Sequence, residues 1–418
     1  MKLFVNGDQG IMAKRAVVYG AGKLVRCFIS QILHASGYEI VFLELGKDLV
    51  RMLNEAKRYP VRLVTNDETV EFYIDSFRAE DSSQPGIAAK EMLDADLMVT
   101  SVGARNLQYI AQPIAEGIKA RIDAGKAPLN IILAENLNDS GNYMREQVCK
   151  HLDEATIAKI DANVGFIEAS IGRMVPELAK GEADDPLLVR GEPYEILQID
   201  GAAVVGKKPE LVNTLFCDPI EPYIQRKLFV HNMCHCACAY LAAGKYEFIH
   251  EAMTDPAIRY LVEQAGLVGV RSIAAEGQMG YDSLLDFLMK LQYRFSNVSL
   301  RDTVARVGAD PVRKLGNDDR ITGLYRLAKK HGVDTSFLMP VYAAALCYRN
   351  EADKASMQVN DDYKTTGVKE TLKKYTEIEF SEEEIKQIET QIENLHKGEF
   401  TELIRLAESA RAKNTETT

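Results

Sequence analysis

Tryptophan is missing from this 418-residue chain, and so is any apolar run near the roughly 18 residues that a membrane-spanning helix requires. The first absence bears on no function; the second predicts a protein without transmembrane helices. A disulfide framework is missing too. The seven cysteines have no regular spacing, three crowd together at 234, 236 and 238, and an odd count suits a reducing cytoplasm. Positive charge is in deficit. A formal net charge of −11 argues against nucleic acid or an anionic membrane as partner, while leaving room for a local basic pocket. The opening MKLFVNGDQGIMAKR is interrupted by Asn6, Asp8 and Gly10 before a secretory apolar core can form. There is no internal repeat and no low-complexity block.

What is present is the composition of an ordinary soluble protein, with 46% hydrophobic and 27% charged residues, and a length that predicts two domains. Residues 16–19 (AVVY) read as a short strand ending in Gly20-Ala21-Gly22, followed by a helical pattern to about Ala35. EIVFLEL (39–45), ADLMVTSVG (95–103) and LNIILAEN (129–136) are further buried strands, with a helical stretch at 47–58. Residues 61–64 and 70–77 alternate apolar and polar and predict an inserted hairpin. Strands alternating with helices argue a parallel, doubly wound sheet. The Gly-, Pro- and charge-rich run 179–194 marks a boundary, giving domains 1–194 and 195–418. From about 221 the periodicity is mainly helical, clearest at 223–243, 257–276, 281–294, 320–331 and 336–349. Two amphipathic helices are expected within 381–411, then a disordered tail, KNTETT. The expected fold class is α/β: an N-terminal Rossmann-type doubly wound sheet followed by a mainly α-helical C-terminal domain.

The first turn points to a cofactor. Gly20 and Gly22 permit a tight turn and close approach of backbone N–H groups to a pyrophosphate at a helix N-terminus. Val25 stands where the third glycine of G-x-G-x-x-G belongs, which weakens the motif. Glu44 ends the next strand, where a carboxylate accepts from ribose hydroxyls and repels a 2′-phosphate, favouring NAD over NADP. The plain alternative for Glu44 is a solvated strand end, and Lys47 nearby argues slightly against NAD. Gly103, ending TSVG, lets the nicotinamide half pass close to backbone, or is simply a strand-end glycine.

The chemistry concentrates in QRKLFVHNMCH, 225–235. On an α-helix Asn232 and His235 fall roughly 140° and 80° round from Lys227, so one broad face carries all three. Lysine titrates near 10.4 in water, and burial beside a cofactor would lower it toward a working acid/base. Asn232 can donate to an oxygen that becomes anionic, and His235 can hold a hydroxyl. Taken singly, the three are a snorkelling lysine, a satisfied amide and a core histidine. Asn136, at the end of 129–136, is a second oxyanion donor or a helix N-cap. His231, His235 and Cys238 have a spacing that can present metal ligands, but no second cluster completes a site, so no metal is expected. Arg313, Lys314 and Arg320 lie in a cation-rich loop that can bind a phosphate, or can be paired by Asp302, Asp310, Asp318 and Asp319.

GAGKLVRCFI, TSVGARNLQYIA, LNIILAEN, VGFIEASIGRMVP, RKLFVHNMCH and DPVRKLGNDDR together resemble, in order and spacing, the polyol-specific long-chain dehydrogenases, the mannitol dehydrogenase family. The similarity runs from about residue 16 to 350, with K-x4-N-x2-H its most specific signature. It is nearest the branch acting on mannitol 1-phosphate. It implies metal-independent transfer between NAD and a polyol or its phosphate, such as mannitol 1-phosphate and fructose 6-phosphate. By the same resemblance Lys227 is the acid/base, Asn136 and Asn232 steady the oxyanion, and His235 holds substrate. Val25, Gly172, Met233 and Cys234 depart from the family pattern, and His231 is an added imidazole. A tagaturonate- or fructuronate-type sugar-acid reductase of the same family is the alternative substrate reading, and a non-catalytic NAD-binding protein the alternative class.

Overall fold

The computed structural model describes residues 14–178 and 185–416. Residues 1–13, read above for a leader, and residues 179–184 of the boundary run lie outside the described residues. The chain divides into two compact units, one ending at Ile220 and the other running from Glu221, with the short turn Thr65–Glu68 belonging to the second.

The first unit carries eleven described strands: β1 (Lys14–Tyr19), β2 (Tyr38–Glu44), β3 (Tyr59–Val64), β4 (Thr69–Ile74), β5 (Phe77–Asp81), β6 (Leu97–Thr100), β7 (Leu129–Leu133), β8 (Val164–Ile171), β9 (Val189–Gly191), β10 (Leu197–Asp200) and β11 (Thr214–Cys217). Eight form one sheet in the order β11-β10-β8-β7-β6-β1-β2-β5. From β8 to β5 every pair is parallel. Successive residues of β1 serve opposite cores: Ala16 and Val18 pack on one face, Val17 and Tyr19 on the other. That two-sided burial is why the strands read as continuous apolar runs. Each fully buried valine, leucine or isoleucine contributes about 1.5–3 kcal/mol.

The chain leaves β1 for β2 and β5 on one side, then returns across it to β6, β7 and β8. Strand order therefore reverses between β1 and β6, the place where open α/β sheets bind ligands at their carboxyl ends. The expected hairpin is present as antiparallel β3 and β4, with β9 added parallel to β3. The unit outlasts the expected break at residue 194. β10 pairs antiparallel with β8 and β11 lies parallel to β10, so the polar run before them is a connection within this unit.

The second unit is helical. Pro256–Ala275 begins where the Asp255 carboxylate accepts the N–H groups of Ala257 and Ile258, with proline in the first turn. Glu382–Lys397 begins in a Ser381/Glu384 capping box and stops at Gly398. Within this unit Asn66 donates to Ser296 O (3.2 Å) and accepts from the Val298 N–H (2.8 Å). Three features differ from expectation. Lys354–Thr376 is a further helical element, interrupted at Gly367 (φ 83°, ψ 174°). The loop-like 301–320 holds two short helices, Val304–Gly308 and Pro311–Lys314. The expected tail is helical to Glu416, continuing Phe400–Glu416. No helix among the described residues is long and apolar enough to cross a membrane.

Candidate active site

In the first unit the Gly-rich turn sits at the β1/β6 switch. Gly20 has φ +90°, and a Cβ there would lie 2.6 Å from Ser101 O, so only glycine fits between the two strand ends. Gly22 is exposed, and a Cβ on it would meet no protein atom within 4 Å, leaving the backbone open to an incoming group. The peptide between them is held from both directions. Ala21 N–H donates to Glu44 Oε2 at 2.7 Å, and Arg26 Nε donates to Ala21 O at 3.0 Å. Glu44 Oε1 accepts the Gly46 N–H at 2.8 Å. Glu44 is thus a structural acceptor for the turn. Lys47 pairs with Asp81 at 3.7 Å.

Val25, in place of the third glycine, is fully buried in a π-helical turn, Val25–Ile29. At Gly172 the Tyr194 ring lies 2.9 Å from where a Cβ would be. Neighbouring Arg173 is buried, donating to Cys27 O (2.8 Å), Gln31 Oε1 (2.7 Å) and Tyr194 O (2.6 Å). These departures pack inside the first unit.

Gly103 is exposed with φ +89°. Its N–H donates to Glu135 Oε2 at 2.9 Å, and the Val102 N–H donates to Glu135 Oε1 at 2.8 Å. Burial pushes the Glu135 carboxyl up, while those two N–H groups draw it back. β7 ends at Leu133, so Asn136 stands on the following loop, exposed; the N-cap of the next helix is Asp139. Glu135, missed in the sequence, fixes the TSVG turn beside it.

In the second unit the reactive stretch differs from an ordinary helix. Arg226–Asn232 is π-helical, and α-helix resumes at Met233. In a π turn the hydrogen bonds run i→i+5, so Asn232 comes round toward the face of Lys227 instead of lying 140° away. His235 follows three residues on, an α-helical neighbour of Asn232. The wide turn has room because two glycines face it: a Cβ on Gly269 would lie 2.6 Å from Phe229 O, and one on Gly323 would lie 2.8 Å from the Phe229 ring. Lys227, Asn232 and His235 are all half-buried. Met233 and Cys234 turn into the core, and Cys234 Sγ lies 2.7 Å from where a Gly266 Cβ would be.

His235 stacks on Phe295, with centroids 4.8 Å apart and planes 15° apart. Its Nε2 lies 3.0 Å from Asp302 Oδ2, an ion-pair contact outside hydrogen-bond geometry. Burial pushes the His235 imidazole down, Asp302 opposes this, and Arg306 and Lys314 reinforce it. Against the upward push of burial, His235 and Arg306 hold Asp302 well below the usual carboxylate range. His231 is more extreme: burial, then repulsion from Arg294, His235 and Lys227, keep it well below 6.5. All seven cysteines are free, and burial pushes Cys236 up to about 11 and Cys238 higher. Among the described residues no group of three or more His, Cys, Asp or Glu side chains is placed to hold a metal ion.

The cation-rich segment is mostly paired. Arg313 reaches Asp310 (3.3 Å) and Asp319 (3.1 Å), and Arg320 reaches Asp319 (2.7 Å). Against burial, Arg320 and Arg313 hold Asp319 below the usual range. Lys314 departs from the phosphate expectation. It is buried, its amine donates to the carbonyls of Val307 and Ala309, and burial pushes it down to about 7. Arg313 is the exposed member of the three.

The mannitol dehydrogenase Rossmann domain matches residues 14–213, and the mannitol dehydrogenase C-terminal domain matches residues 219–404. The chain belongs to the mannitol dehydrogenase family. It is therefore a member of a dehydrogenase family, as the motifs led us to expect. Relatives within it include the mannitol-1-phosphate 5-dehydrogenases of Thermoanaerobacter pseudethanolicus, 33% identical over 87% of this chain and 94% of the relative, and of Brevibacillus brevis, 33% identical over 87% and 93%. In fold the chain is similar to a D-sorbitol dehydrogenase solved in substrate-free form (TM-score 0.78, 16% identity, 93% of this chain and 94% of that one). It is also similar to Pseudomonas fluorescens mannitol 2-dehydrogenase in ternary complex with NAD and D-mannitol (TM-score 0.72, 18% identity, 94% of each). The expected α/β plan with a helical second domain is thus the family's plan.

Proposed function

We propose that this protein interconverts a sugar alcohol phosphate and its ketose with NAD and without a metal: mannitol 1-phosphate and NAD⁺ give fructose 6-phosphate, NADH and a proton. The observation that carries this reading is the π turn Arg226–Asn232, whose i→i+5 spacing brings Asn232 round toward the face of Lys227, with His235 on the α-helix that follows. The relatives named mannitol-1-phosphate 5-dehydrogenase support the choice of substrate. The exposed side chain of Arg313 supports a phosphate on it.

Bound NAD would supply the hydride acceptor. Its fit rests on the open backbone at Gly22, the strand-end glycine Gly103, and Glu44, whose oxygens each retain a lone pair after taking the Ala21 and Gly46 N–H groups. In the oxidative direction Lys227 Nζ takes the proton of the reacting hydroxyl as the carbon loses hydride; in the reductive direction it returns it. The Asn232 amide donates to the oxygen while that atom carries negative charge, and Asn136 is proposed as a second donor. His235 holds a further hydroxyl. The cytoplasm, with small molecules and neither nucleic acid nor membrane as partners, suits an acidic protein with seven free thiols.

The test is NADH oxidation with fructose 6-phosphate, fructose and tagaturonate side by side. The reading expects fructose 6-phosphate to give the highest kcat/KM and a chelator to change nothing. Preference for tagaturonate would reassign it to a sugar-acid reductase, and tight NADH binding without turnover of any of them to a binding protein.

A further inference from the structure

His235 is fixed on two sides, and its anchors are themselves anchored. One ring face lies on Phe295, and Nε2 lies against Asp302. Asp302 is gripped fork to fork by Arg306, Nε to Oδ1 at 2.7 Å and Nη2 to Oδ2 at 2.6 Å. Its backbone is pinned as well: Asp302 O accepts the Ile249 N–H at 2.9 Å, and Thr303 bridges to Phe248. The side chains of His235 and Asp302 are 12% and 6% exposed, so water competes little for the contact.

We propose that Asp302 is a positioning residue that keeps the His235 proton on Nε2, so that Nδ1 offers a lone pair to a substrate hydroxyl. This rests on the reading of His235 as the substrate-holding residue, and adds which atom holds and with what polarity. A neutral imidazole has one N–H and one lone pair, and an ionised carboxylate only accepts. Were the proton on Nδ1, the bare Nε2 would sit 3.0 Å from an ionised carboxylate oxygen with no positive charge between them. The bidentate Arg306 keeps the carboxylate ionised, so the proton is drawn to Nε2. A lone pair at Nδ1 welcomes a hydroxyl, which can donate, and repels a carboxylate, which cannot. The frame therefore favours a polyol over a sugar acid at this position.

The measurement is the ring nitrogen chemical shifts of the full-length protein labelled with ¹⁵N-histidine, with the His235→Gln spectrum assigning the signal. The expected result is a neutral His235 protonated on Nε2; a proton on Nδ1 would overturn the proposal in the unmodified protein, without any variant having to fold. Asp302→Asn, whose amide can turn a donor toward the ring, should shift the tautomer and raise the ketose KM about tenfold with kcat changed less, and Asp302→Glu should restore part of it. An unchanged tautomer and KM in Asp302→Asn would also overturn it. Failure of the dehydrogenase reading would show as no turnover of any ketose with the tautomer intact, whereas failure of this inference would show as the opposite tautomer in an active enzyme.

Discussion

Glu44 accepts the backbone N–H of Ala21 at 2.7 Å, tying the end of β2 to the middle of the Gly-rich turn. A residue read from sequence as a ligand for ribose is also part of what holds the turn in shape. The two roles are compatible, because a carboxylate has about four acceptor positions.

Glu44→Ala should therefore raise the KM for NADH about tenfold, the usual scale for a hydrogen bond to a charged group, and narrow the preference for NAD over NADP. The kcat at saturating cofactor should stay near wild type, and Glu44→Gln should fall between. Steady-state kinetics with both cofactors checks this; an unchanged KM would mean the turn holds its shape alone.

Glu135 takes the N–H groups of Val102 and Gly103 in a buried setting, so Glu135→Ala leaves two donors without their acceptor. A loss of about 2 kcal/mol or more in unfolding free energy is expected, read by denaturant titration. Weaker NADH binding should accompany it if the TSVG turn borders the cofactor.

The buried imidazoles give stability a pH dependence. His231 and His235 are both pushed below 6.5 in the folded protein, so the unfolded chain binds their protons first. Their contribution is complete above about pH 6.5 and is lost as pH falls below it. The melting temperature should drop between pH 7 and 5, and His231→Phe should flatten that slope. A slope unaltered in His231→Phe would contradict the assignment.

Arg313 is the exposed one of Arg313, Lys314 and Arg320, and it reaches Asp310 and Asp319. Arg313→Gln should raise the KM for fructose 6-phosphate at least several-fold more than that for fructose, since a bidentate contact to phosphate is lost only with the phosphorylated sugar. Equal effects on both sugars would remove Arg313 from the phosphate site.

Much of the fold was legible because its strands are buried on both faces: AVVY, EIVFLEL and LNIILAEN announce themselves as apolar runs, and the hairpin of β3 and β4 by its alternation. The later domain break was not legible, because β10 and β11 are short and their pairing with β8 is long-range. Lys354–Thr376 was hidden by sparse apolar positions and by Gly367. At the candidate site, Lys227, Asn232 and His235 are singled out by local spacing alone. The π turn that runs through them was not legible, since it depends on Gly269 and Gly323 elsewhere in the chain. Asp302 and Glu135 escaped for the same reason: their importance lies in partners distant in sequence. Lys314 misled because a charged residue in a loop reads as exposed, whereas here carbonyls of its own loop satisfy it.

The most direct test of the account is the turnover of Lys227→Ala with NADH and fructose 6-phosphate, alongside its NADH affinity by fluorescence titration. Loss of the proton carrier should cut kcat by ~10²-fold or more while leaving NADH affinity nearly unchanged. Near-normal turnover would contradict the assignment of Lys227 as the acid/base, and with it the mechanism proposed for this enzyme.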